Sequence, residues 1–65
     1  MTHIKITLPD GSIMDYPKGT TAADIAKDIG KRLAEDAVAA KVNGNIKDLD
    51  YSINEDSSLE IVTLN

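Results

Sequence analysis

Sixty-five residues make a single domain, with 11 acidic against 7 basic side chains and a net charge of −4. Nucleic-acid binding draws most of its affinity from neutralised phosphates, so this balance disfavours a free-standing RNA or DNA binder. The two aromatics, Tyr16 and Tyr51, are also too few for a base-stacking platform. The chain has no Cys, which excludes disulfides and thiolate chemistry and suits a cytoplasmic protein. It shows neither a signal-peptide apolar run at its N-terminus nor the ~18 consecutive apolar residues of a membrane span.

His3 to Leu8 alternates polar and apolar residues, the pattern of a strand that buries Ile4, Ile6 and Leu8 on one face. Pro9-Asp10-Gly11-Ser12 reads as a turn, and Ser12 to Tyr16 as the return strand. Ile13 and Met14 are adjacent, so one must face outward; the reading pairs Met14 with Tyr16 on the inner face. Pro17-Lys18-Gly19 breaks the sheet, and Thr21 is the expected N-cap of a helix with Asp24 in its first turn. Ala22, Ile25, Ala26 and Ile29 form one helical stripe, and Lys27 and Asp28 lie on the other side. Gly30 is expected to stop that helix as a left-handed residue just past its end.

Lys31 to Asp36 reads as a short second helical turn. Ala37 to Val42 is the third strand, with Val38, Ala40 and Val42 on one face, and Asn43-Gly44 turns it back through Asn45 to Lys47. Ile46 and Leu49 are expected to be buried, residues 48–53 to be loop or short 3₁₀ structure, and residues 54–58 a polar turn. Leu59 to Thr63 is the last strand, burying Leu59 and Ile61. The order β-β-α-β-β-β leaves one main helix to cover one face of a mixed sheet, a two-layer α+β domain of the β-grasp, or ubiquitin-like, type. In that arrangement the first and last strands lie parallel in the middle.

The residues carry no catalytic constellation. His3 is the lone His, and a zinc site needs three or four converging ligands. Asp48, Asp50, Glu55, Asp56 and Glu60 make the C-terminal third acidic but lack the spacing of a Ca²⁺ loop and its central Gly. Gly19-Thr20-Thr21 does not match a phosphate loop. Lys27, Lys31 and Arg32 cluster around the end of the helix, where they either offset the negative end of its dipole or form a small contact patch for RNA or a sister domain. Val62 and Leu64 alternate with Ile61 and either cover the sheet or dock on another part of a larger protein.

Ile4-Lys5-Ile6-Thr7-Leu8-Pro9-Asp10-Gly11-Ser12 resembles the opening of a TGS domain. So do Gly19-Thr20-Thr21, Asp24-Ile25-Ala26, Ala40-Lys41-Val42-Asn43-Gly44, and Asp56 followed by Leu59-Glu60-Ile61-Val62-Thr63. The resemblance runs from Ile4 to Thr63, and it is specific in the order and spacing of motifs that are each common alone. TGS domains occur in threonyl-tRNA synthetases, Obg-type GTPases and stringent-response (p)ppGpp synthetase/hydrolases. The phrasing is most similar to the N-terminal domain of bacterial threonyl-tRNA synthetases.

That resemblance implies a non-catalytic accessory domain excised from a larger cytoplasmic protein, monomeric on its own and remote from membranes. Its partners would be the rest of the synthetase and, weakly, tRNA. The synthetase joins threonine to tRNA, and ATP, zinc and the catalytic groups belong to later parts of that enzyme. In the other parents the domain would be a regulatory module that binds a ligand or RNA. A ubiquitin-like sulfur carrier needs a C-terminal Gly-Gly, where this chain reads Val62-Thr63-Leu64-Asn65.

Overall fold

The alternation of the first strand sends Ile4 and Ile6 inward, and two hairpins then build a mixed sheet around them. A computed structural model describes residues 2–64. Its elements are β1 (His3–Thr7), β2 (Ile13–Pro17), β3 (Thr20–Thr21), α1 (Ala22–Ile29), α2 (Lys31–Asp36), β4 (Ala37–Val42), β5 (Asn45–Lys47), β6 (Ser52–Ile53) and β7 (Ser57–Thr63). The main sheet has five strands in the order β2-β1-β7-β4-β5, and β3 pairs with β6 in a separate two-stranded ladder. β1 and β7 are the parallel pair at the centre, and every other pairing is antiparallel. This is the expected β-grasp fold.

Register decides which side chains enter the core. Ile4 faces Tyr16 and Ile6 faces Met14, so the inner face of β2 is Met14 and Tyr16, and Ile13 opposite Thr7 points to solvent. On the other flank of the sheet Ala40 faces Ile61 and Val42 faces Leu59. These residues pack against Ala22 and Ile25 of α1. Full burial of an aliphatic side chain of this size stabilises the fold by about 1.5–3 kcal/mol, and in a domain this small such contacts decide whether it folds at all.

The caps and turns follow local chemistry. Thr21 has an extended backbone, and its Oγ1 accepts from the Asp24 N–H at 3.2 Å, the expected N-cap. Asn43 and Gly44 both have positive φ, 52° and 85°, as the tight turn between β4 and β5 requires. Asn43 does more than turn the chain. Its Oδ1 accepts from the Ser58 N–H and its own N–H donates to the Ser58 carbonyl, each at 3.0 Å, so the turn is fastened to the start of β7. At the same end of the sheet, on the β1 side of β7, Asp56 Oδ1 accepts the Lys5 N–H at 2.9 Å, one step before the parallel ladder of β1 and β7 begins at Ile6 and Ser57.

Several expectations change. Ser57 and Ser58 open β7 instead of closing a polar turn, Pro17 ends β2 instead of breaking the sheet, and Leu49 and Ile61 are half-buried. Val38 is 48% exposed because the β4–β7 register slips between Ala37 and Ala39, which turns it off the inner face. Ile46 is 62% exposed because it faces Lys41, whose neighbours Ala40 and Val42 take the inward positions. Residues 52–53 form β6 instead of loop, and Ile53 is 1% exposed, a core residue inside a polar stretch. Ile29, at the end of the helical stripe, is 41% exposed. Gly30 has φ −179° and ψ 142°, an extended joint between α1 and α2, with its N–H still donating to the Ala26 carbonyl at 3.0 Å.

Candidate functional site

The joint at Gly30 sets the setting of the basic residues. Lys27 lies in the last turn of α1, whereas Lys31 and Arg32 open α2. All three are exposed. Only Lys27 sits where a positive charge complements the negative end of a helix dipole. Lys31 and Arg32 stand in the first turn of α2, a position that the dipole of α2 itself does not favour. The three cations thus flank the corner between α1 and α2.

A part-buried polar contact joins this corner to the sheet. Tyr16 Oη donates to Asp28 Oδ2 at 2.9 Å and lies 3.5 Å from Met14 Sδ. The contact ties β2 to the last turn of α1, one residue from Lys27. Burial, and then the hydrogen bond and negative charge of Asp28, push the Tyr16 phenol up from 10.0 to about 12. Asp28 reads from helical periodicity as a solvent-side residue, and nothing in the spacing connects it to Tyr16. The available signal is that a buried tyrosine needs a partner for its hydroxyl.

The acidic C-terminal third does not converge. Asp56 is committed to the Lys5 amide, and Lys47 Nζ sits 5.1 Å from the centre of the Tyr51 ring, beside Asp48 and Asp50 along a shallow groove. Among the described residues no group of three His, Cys, Asp or Glu could hold a metal ion. The described residues therefore do not fit a zinc centre. No helix among the described residues is long and apolar enough to cross a membrane.

The sequence pattern of the family described as "TGS domain" matches residues 4–63. The chain belongs to the TGS family. Among similar curated proteins, the threonine–tRNA ligase of Prosthecochloris aestuarii is 53% identical over 62 residues, covering 95% of this TGS domain and 9% of the ligase. The ligase of Chloroherpeton thalassium is 55% identical over 60 residues, covering 92% and 9%. Threonine–tRNA ligase 2 of Bacillus subtilis is 47% identical over 62 residues, covering 95% and 10%. The TGS domain thus spans about a tenth of the length of the relatives it matches.

Proposed function

We propose that this TGS domain is the non-catalytic N-terminal accessory domain of a threonyl-tRNA synthetase, one folded unit of a longer polypeptide. The observation that carries the reading is identity near 50% with threonine–tRNA ligases across almost the whole domain. In this reading the ATP and zinc used by such an enzyme belong to other parts of the polypeptide. The domain contributes a surface.

Within this reading Lys27, Lys31 and Arg32 make the contact, either with tRNA phosphates or with a neighbouring domain. The net charge of −4 keeps any RNA affinity of the isolated domain weak and salt-sensitive. The test is to delete the whole domain from the synthetase that carries it. Aminoacylation stays measurable if the domain is an accessory. Its abolition, with the remainder still folded, refutes the reading.

A further inference from the structure

β7 outlasts β1. Their parallel pairing stops at Thr7 and Ser58, yet β7 runs on to Thr63. Continuing that register would set Leu8 against Leu59 and Pro9 against Glu60. Pro9 has no N–H to extend the ladder. Both main-chain groups of Leu8 are already used in the turn, its N–H by the Ser12 carbonyl at 2.8 Å and its carbonyl by the Gly11 N–H at 2.9 Å. A central strand therefore becomes an edge halfway along its length.

The alternation of β7 shows which groups face that edge. Toward β4, the Ser58 carbonyl accepts from Asn43 at 3.0 Å and the Leu64 N–H donates to the Asp36 carbonyl at 3.3 Å. Successive residues of a strand alternate the direction of these groups, so the N–H and C=O of Ile61 point away from β4, to the flank that β1 has left. A groove of about 290 Å³ opens there. Leu8, Ile29 and Leu33 line it on the helix side, and the charged residues that border it, Asp10 and Glu60, are both acidic. The Ser12 N–H holds the Asp10 carboxyl below its usual range and so keeps it charged.

We infer that this flank accepts a short extended segment of a partner protein, apolar at alternate residues and basic between them, added to β7 as a further strand. The main-chain groups of Ile61 supply the pairing, as in other cases of strand addition to an open edge. Side chains of the added strand that point toward the helices meet Leu33 and Ile29, and those between them point to the outer face and meet Glu60. A second copy of this chain is disfavoured as the occupant because it also carries −4.

The test is amide NMR of the isotope-labelled chain titrated with a capped Lys-Val-Lys-Val-Lys peptide. The expected result is shifts centred on Ile61, Ile29 and Leu33, with slowed hydrogen exchange at the Ile61 amide. Binding should weaken about tenfold for the Glu-Val-Glu-Val-Glu peptide and be lost for a backbone N-methylated Lys/Val peptide that cannot donate. Glu60→Lys, an exposed change, should reverse the preference between the two charged peptides. Equal binding of the N-methylated peptide, shifts confined to another surface, or concentration-dependent shifts of Ile61 without peptide would each overturn the proposal; the last would identify a second copy instead.

Discussion

The contact between Tyr16 and Asp28 offers the sharpest physical test of how the basic corner is held. Tyr16→Phe removes the hydroxyl and leaves the ring in place. The Tyr16 phenol is raised from 10.0 to about 12. At 1.36 kcal/mol per pKa unit, that places an upper bound of about 3 kcal/mol on what the protonated form gains from the fold. Asp28 is exposed and rehydrates when the hydroxyl is removed, so the expected loss for Tyr16→Phe at neutral pH is about 1–2 kcal/mol. The sign of the pH dependence follows from linkage. The folded state binds this proton more tightly than the unfolded state, so the stabilisation is complete below about pH 10 and is lost as pH rises through about 12.

Urea unfolding of the parent and of Tyr16→Phe across that range isolates the contribution, because lysine titration is common to both. The two stability curves should converge toward high pH. Asp28→Asn keeps an acceptor without the charge and should fall between them. Ultraviolet titration in a Tyr51→Phe background should show the remaining phenol ionising late. Curves that stay parallel from neutral to alkaline pH, or a Tyr16→Phe protein as stable as its parent, would refute the argument.

Further outcomes follow from packing and backbone geometry, each read by urea unfolding. Ile53→Ala should cost about 2–5 kcal/mol, as a fully buried aliphatic does, whereas Ile46→Ala should stay within about 0.5 kcal/mol; the reverse order would put the wrong residue in the core. Asn43→Gly keeps the positive φ and loses the acceptor for Ser58, a cost of about 1 kcal/mol, and Asn43→Ala, losing both, should cost about 2 kcal/mol. Gly30→Ala should stabilise by about 0.4–1 kcal/mol, since φ is −179° and an added Cβ meets nothing within 4 Å. Gly44→Ala, at φ +85°, should destabilise by about 1 kcal/mol or more.

Much of this architecture can be read from residue order because its signals are local. Alternation in residues 3–8, the Thr21 cap and the Asn43-Gly44 turn each depend on neighbours a few positions away. What escapes such reading is set by distant partners. Ile53 looks like part of a polar loop because its strand is two residues long and exists only by pairing with Thr20 and Thr21. Val38 follows the alternation of its own strand, yet a slip against β7 turns it outward. Gly30 carries the composition of a helix end without its usual conformation, because the chain passes straight into a second helix. The basic residues of the candidate site are visible as Lys27, Lys31 and Arg32, but their setting at two helix ends becomes clear only once that joint is placed. The open flank of β7 depends on where β1 stops, and Pro9 is its sequence trace.

The central claim is that the TGS domain contributes contacts and no chemistry. Steady-state aminoacylation by the intact synthetase carrying Lys27→Ala, Lys31→Ala and Arg32→Ala together tests it most directly. The account predicts an unchanged kcat with the KM for tRNA raised about three- to tenfold, an increase that shrinks as salt is added. A fall in kcat with KM unchanged would contradict it.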